Sequence, residues 1–153
     1  MWEKLGYIVK CMSPWASPIV IVPKSNGKLR LCVDFRYLNS LSIPYNWPLP
    51  NIDELLSILC DMKVCSKLDA RYGFLNIFIK PKDIDKTSFV CHLGQYKFLR
   101  MPFGLRNAPA SFQRAIEHIL SPVLNKYVLV YMDDVIVFSP NIELHFIHLA
   151  KVF

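Results

Sequence analysis

The sequence has no apolar run long enough to cross a membrane, because charge or proline breaks every hydrophobic stretch well short of the roughly 18 residues a span requires. A secretory leader is also missing: Glu3 and Lys4 precede an apolar patch, Leu5 to Val9, of only five residues. The five cysteines (Cys11, Cys32, Cys60, Cys65, Cys91) contain no C-x-x-C pair. An odd count without that spacing argues against a disulfide framework or a zinc site and for a reducing compartment. His145 and His148 form a lone H-x-x-H without partner ligands, which reads as a helix face rather than a metal site. Acidic residues are few, twelve against eighteen Lys and Arg, so the chain carries +6 and a pI near 9.1, a balance that favours an anionic partner such as nucleic acid.

What is present argues for a folded protein. Hydrophobic residues make up 53% and aromatics 13% of 153 residues, enough for one compact domain with a real core. Ser17 to Pro23 and Lys28 to Arg36 read as a hairpin through Lys24-Ser25-Asn26-Gly27, with Leu29, Leu31, Val33 and Phe35 on a core face and Lys28, Arg30 and Arg36 on a cationic one. Three prolines between Pro44 and Pro50 make an extended connector. Asn51, with Glu54 three residues on, forms a capping box for a helix over 51–60 whose apolar stripe is Ile52, Leu55, Leu56 and Leu59. Residues 64–69 read as a strand that ends on Asp69, opposite in face to Val64, Ser66 and Leu68. Further strands are expected over 76–80 and 86–101, the latter a hairpin through Leu93-Gly94-Gln95. Asn107 and Pro109 start a helix over 108–120 with Phe112, Ala115, Ile116, Ile119 and Leu120 on one face, and a last helix is expected from Glu143.

The most unusual stretch is 127–138, where Asp133 and Asp134 interrupt two runs of large apolar residues. It reads as strand, tight turn, strand with the two carboxylates at the turn. No Lys or Arg lies between Tyr127 and Phe138, so half-buried carboxylates would repel each other and lose hydration unless they recruit a positive charge from outside, most simply a divalent metal. The strands at 64–69 and 127–138, with the helices at 51–60 and 108–120, make a split β-α-β arrangement with helices on one face of an antiparallel sheet. Such a sheet brings Asp69 beside Asp133 and Asp134 as a hard-oxygen set with no cation of its own, suited to magnesium or manganese. The plainer reading is that all three are turn or strand-end residues.

Several motifs then resemble one family. Tyr131-Met132-Asp133-Asp134 between apolar strands, with Lys67-Leu68-Asp69 ahead of it, is similar to the palm of reverse transcriptases. Ser13-Pro14-Trp15-Ala16-Ser17-Pro18, the run Leu29 to Asn39, Pro48-Leu49-Pro50 and the run Met101 to Gln113 resemble, in order, the polymerase of gypsy-type LTR retrotransposons over nearly all of residues 5–150. The resemblance implies an α+β fold with a fingers hairpin and an antiparallel palm sheet, fingers over 1–50 and about 80–105, palm over 51–79 and 106–153. Fifteen residues follow Phe138, so thumb, connection and RNase H are expected to be absent, or supplied as another portion of a polyprotein.

It further implies an RNA-directed DNA polymerase that adds deoxynucleotides to a primer on an RNA or DNA template, using two magnesium ions or manganese in their place. Asp69 and Asp133 would be the main metal ligands, Asp134 a supporting carboxylate, and the Ala70 carbonyl a further ligand. Lys24 and Arg30 match positions that grip the triphosphate. Phe74 matches the aromatic that excludes a 2′-hydroxyl, Phe103 and Gly104 the loop against the nucleotide, and Tyr131 and Met132 the primer terminus. Ala70, Tyr72, Trp47 and Ser25-Asn26 depart from the family's usual residues. The second reading is a truncated remnant that binds nucleic acid without turnover.

Overall fold

The computed structural model describes residues 2–23, 27, 29–48 and 50–153, with Arg30 described by its backbone alone. Two compact units form, one from Met1–Pro44 and Phe74–Ala108, the other from Tyr45–Gly73 and Pro109–Phe153. No helix among the described residues is long and apolar enough to cross a membrane. All five cysteines are free thiols.

The first unit is built on a five-stranded sheet. Its strands are β1 (Ile8–Lys10), β2 (Ser17–Pro23), β3 (Leu29–Val33), β5 (Phe89–Cys91) and β6 (Gly94–Phe98), in the order β1-β6-β5-β2-β3. All neighbours are antiparallel except β2 and β5, which pair in parallel through Ser17 and Phe89. Aromatic rings fill the core: Phe98 lies 5.3 Å from Phe89 and 6.4 Å from Phe35 between ring centres, and Leu38, Leu75 and Tyr96 close around them. The buried Thr87 hydroxyl donates to the Ile84 carbonyl at 2.7 Å and accepts the Phe98 N–H at 3.0 Å, tying the 3-10 turn at Pro81–Thr87 to β6.

Here the sequence-based picture needs four corrections. The 76–80 segment is not a strand; it holds only an isolated bridge from Phe78 to Arg100, because the chain leaves a 3-10 turn at Gly73–Asn76. The second hairpin strand stops at Val33, and Phe35 and Arg36 instead lead into a short helix α1 (Arg36–Leu41) that periodicity gave no hint of. Of the expected core face of that strand, Leu29 and Leu31 are exposed, while Phe35 is buried. The strand β1, paired along β6, was not expected at all. The hairpin turn itself lies outside the described residues apart from Gly27.

The second unit contains α2 (Ile52–Cys60), β4 (Val64–Asp69), α3 (Ala108–Ile119), β7 (Val128–Tyr131), β8 (Asp134–Ser139) and α4 (Ile142–Val152). Its sheet is antiparallel in the order β4-β8-β7. Val128 faces Val137 and Val130 faces Val135, and these buried valines receive Ile116 from α3, Leu120 just after it, and Leu149 and Val152 from α4. Helices α3 and α4 therefore cover this face, whereas the sequence pattern put α2 there beside α3 and α2 has no buried residue. Each buried valine contributes roughly 1.5–3 kcal/mol relative to exposure. The same face carries a polar network under α4: Ser66 Oγ meets His145 Nε2 at 2.8 Å, and Ser139 Oγ meets both His145 Nδ1 and His148 Nδ1. The H-x-x-H pair is thus a helix face that satisfies buried hydroxyls, with His148 stacked on Tyr127.

Two details differ from expectation. Asn51 caps α2 by accepting from the Asp53 N–H, not through a capping box with Glu54, and none of the α2 stripe is buried. On α3, Phe112 is buried but Ile119 is exposed, and the Asn107 amide donates to the Ile43 carbonyl.

Candidate active site

The candidate residues divide between the two units. In the second, the β4–β8 register sets Asp69 opposite Asp134, and the β7–β8 register sets Asp134 opposite Tyr131. Only Met132 and Asp133 connect the two strands of the hairpin. Met132 has φ of 53° and Asp133 does not share the positive sign, the pattern of a type II′ turn, whose first central position glycine usually fills. A methionine in that conformation costs ~1–2 kcal/mol.

A buried glutamine holds the turn against this cost. The Met132 N–H donates to Gln113 Oε1 at 2.6 Å, and Gln113 Nε2 donates to the Val130 carbonyl at 3.1 Å. Gln113 sits on α3 with no exposed surface. Stranding a buried donor or acceptor costs about 1–3 kcal/mol, so this clamp is large enough to balance the strain of the turn.

The carboxylates are not electrically equivalent. Asp133 stands exposed at the tip, yet nearby protein removes enough of its hydration that desolvation, ahead of the charges of Asp134 and Asp69, pushes its pKa above the ordinary carboxylate value. Asp134 has a partner: Lys67 Nζ lies 2.7 Å from its Oδ2. This overturns the expectation of carboxylates without a cation of their own. Lys67 lies two residues before Asp69 on β4, so it reaches Asp134 along the diagonal of the register. With the Lys67 side chain 64% and the Asp134 side chain 41% exposed, the pair falls in the class worth at most about 1 kcal/mol, weak enough for a stronger cation to displace.

As donors, three aspartates are of the hard-oxygen kind that magnesium prefers, and Asp133, whose charged form is disfavoured by desolvation and then by the charges of Asp134 and Asp69, is the one a cation would relieve. The residues fit a divalent ion in chemistry. They are not gathered into a ligand cluster, however: among the described residues no three His, Cys, Asp or Glu side chains come together in that way. The Ala70 carbonyl accepts from the Gly73 N–H at 2.9 Å, within the turn that follows Asp69. That turn is tight on both sides. Tyr72 has φ of 55°, and a Cβ on Gly73 would lie 2.7 Å from Cζ of Phe112.

In the first unit, Phe74 and Phe103 meet edge to face with ring centres 4.9 Å apart. Phe74 is buried and Phe103 is exposed. Gly104 has φ of +91°, a conformation side chains rarely adopt, and its carbonyl accepts from Asn39 Nδ2 while Asn39 Oδ1 takes the Arg106 N–H. Arg30 pairs with Val22 in the β2–β3 ladder, and nothing beyond its backbone is described. Lys24 lies outside the described residues.

Comparison with known proteins settles the ancestry. The profile of the family described as reverse transcriptase (RNA-dependent DNA polymerase) matches residues 22–153. This chain belongs to that reverse transcriptase family. Its relatives include the retrovirus-related Pol polyproteins of the transposons 297 and opus of Drosophila melanogaster, 43% and 45% identical over 97% and 96% of the chain. The enzymatic polyprotein of cauliflower mosaic virus (strain CM-1841) is 35% identical over 97% of the chain. The chain spans only 14%, 15% and 22% of the length of these three. Among solved structures, the prototype foamy virus protease-reverse transcriptase superposes with a TM-score of 0.87 at 29% identity, covering 99% of this chain and 20% of the other. The foamy viral enzyme in complex with an RNA/DNA hybrid gives a TM-score of 0.85 at 27% identity. The α+β architecture is accordingly that of reverse transcriptase fingers and palm.

Two residues of this candidate site, Gln113 and Lys67, come from the structure. A Gln three residues from Ile116 on an otherwise apolar helix face is a signal in the sequence for a buried hydrogen bond at Gln113. Lys67 contradicts the expectation that neither strand segment carries a cation, since it lies within 64–69 itself. Period-2 alternation puts Lys67 and Asp69 on one face, which was the available clue.

Proposed function

We propose that this chain is the fingers and palm of a gypsy-type LTR retrotransposon reverse transcriptase, which extends a primer by template-directed addition of deoxynucleotides. The observation that carries this reading is Asp133, at the tip of a strained two-residue turn, with a carboxyl raised by desolvation and by the charges of Asp134 and Asp69. Asp69 and Asp133 would hold magnesium, with Asp134 in support once Lys67 releases it. The bound ions would favour ionisation of the primer hydroxyl and offset charge on the departing pyrophosphate.

The chain's own residues do the rest. Gln113 fixes the turn, and Tyr131 and Met132 present the hairpin to the primer terminus. The first unit's Phe74 and Phe103 supply an aromatic wall for the sugar, with Phe74 as the residue that rejects a 2′-hydroxyl. Lys24 and Arg30 supply charge for the triphosphate. Template and primer, as RNA or DNA, are the partners, in keeping with the RNA/DNA hybrid bound by the foamy viral relative.

The absence of a gathered ligand cluster among the described residues, and the engagement of Asp134 by Lys67, favour one rival, a nucleic-acid-binding chain without turnover. Primer extension on an RNA template with magnesium decides between them. Extension by the chain that Asp133→Asn abolishes, with template affinity kept, supports the polymerase reading. Template binding with no extension supports the rival.

A further inference from the structure

The Gln113 clamp works only if its amide faces the right way, and a second carboxylate, Glu117, governs that choice. Gln113 Oε1 must point at the Met132 N–H, and Nε2 at the Val130 carbonyl; the reversed amide would set donor against donor and acceptor against acceptor. Glu117, one turn further along α3, accepts from Gln113 Nε2 through Oε1 at 2.7 Å. A carboxylate can only accept, so it holds the NH₂ end of the amide toward itself. Its other oxygen, Oε2, accepts from the indole Nε1–H of Trp47 at 2.9 Å, and an indole can only donate.

Polarity is therefore fixed at both ends of the chain, by an indole N–H at one and by backbone groups of the turn at the other. Trp47 is itself held. It stacks on Tyr45 with ring centres 6.3 Å apart and planes at 27°; the Arg114 guanidinium lies 5.9 Å from the Trp47 ring centre and donates to the Tyr45 hydroxyl at 3.0 Å. All of these residues belong to the second unit.

We propose that Glu117 and Trp47 are positioning residues for the carboxylate-bearing turn, acting through the orientation of the Gln113 amide. This rests on the reading of Asp133 as a catalytic carboxylate. The relay ties the proline-rich connector to the one turn whose backbone conformation a methionine does not adopt unaided.

The relay makes a prediction that simple stability does not. In Glu117→Gln the new side chain has one acceptor end and one donor end but faces two donors, Gln113 Nε2 and Trp47 Nε1, so one must go unmet. Adding Trp47→Phe removes the second donor, and the carbonyl of the substituted side chain is then free to hold Gln113. The full chain is compared as wild type, Glu117→Gln and Glu117→Gln/Trp47→Phe, with Gln113→Glu as a second way to break the clamp and Asp133→Asn as the control. Three readouts are taken: hydrogen exchange at the Met132 amide, Mn²⁺ affinity by electron paramagnetic resonance, and kcat and KM for deoxynucleotide.

Glu117→Gln is expected to speed Met132 exchange at least about tenfold and to lower Mn²⁺ affinity and kcat about 10–100-fold, as for second-sphere supports of metal sites, with KM for nucleotide unchanged; the double variant recovers all three. Met132 exchange within about twofold of wild type in both Glu117→Gln and Gln113→Glu overturns the proposal, whatever the activity. A faster exchange with Mn²⁺ affinity and kcat unmoved also overturns it, since the relay would then serve the fold alone. Failure of the polymerase reading looks different: the wild-type chain neither extends primer nor binds Mn²⁺ in a manner sensitive to Asp133→Asn, and the positioning role falls with it.

Discussion

The two units of this chain differ in charge and in where their apolar surface goes. The first holds twelve Lys and Arg against four Asp and Glu, a net of +8, while the second holds six against eight, a net of −2. The overall +6 is thus the property of one unit. That unit leaves Ile21, Leu29 and Leu31 of its hairpin exposed, whereas the second buries its sheet valines under two helices and ties its turn with a fully buried glutamine. The difference teaches that binding an anionic polymer and holding carboxylates in a fixed geometry make opposite demands. Long-range attraction needs only charge on the surface, but carboxylates at a fixed geometry must be held by packing and directed hydrogen bonds.

The hardest test of that division removes one carboxylate. Asp133→Asn is expected to cut primer extension by about 10³-fold or more while template affinity stays within about twofold, as for loss of a group that acts on transition-state charge. A fall in template affinity of the same size would mean that the acidic unit also carries binding. Next in size, Phe98→Ala should destabilise the first unit by about 3–5 kcal/mol, because its ring anchors the aromatic core, and chemical denaturation followed by tryptophan fluorescence reads the loss. Gly73→Ala tests the tight turn beside Asp69: a methyl driven to 2.7 Å from Phe112 should cost about 1–3 kcal/mol through overpacking, and a melting temperature equal to wild type would show that α3 shifts freely there.

Smaller effects separate the units by charge. Lys80→Ala or Lys82→Ala in the first unit should each reduce the slope of log affinity against log salt by about one, and Lys126→Ala in the second should not. Equal slopes for all three would dissolve the contrast. The smallest effect is on stability. Because the folded-state pKa of Asp133 is raised, the folded chain holds that proton at pH values where the unfolded chain has lost it, so stability falls as pH rises from the ordinary carboxylate value through the raised one. In metal-free buffer Asp133→Asn should therefore melt at a higher temperature than wild type at pH 7, with the gap closing below the ordinary carboxylate range. Added magnesium should narrow the gap from the wild-type side.

Much of the second unit was legible in the sequence. Alternation located β4, two apolar runs flanking a tight turn located β7 and β8, and apolar periodicity located α3, while the last helix was expected from Glu143 without a periodic stripe. The first unit was harder. β1 has three residues and α1 has six, too short for a period to register, and the segment 76–80 alternates like a strand but forms a single bridge. The α2 stripe was read correctly as a helix, yet burial does not follow from periodicity, and the helix has no buried residue.

The sequence by itself determined the family, through motifs long enough to be specific, and the identity of the three aspartates. It also placed Asp69 at the end of a strand, opposite in face to Val64, Ser66 and Leu68, but its pairing with Asp134 came from the register of β4 and β8. Only the tertiary structure decided which neighbours they would have. Lys67 reaches Asp134 through a register between strands about 70 residues apart, and the Gln113 amide is oriented by Glu117 and a distant Trp47. Hydrogen bonds and ion pairs depend on direction and distance to within a fraction of an ångström, and no spacing along the chain encodes either.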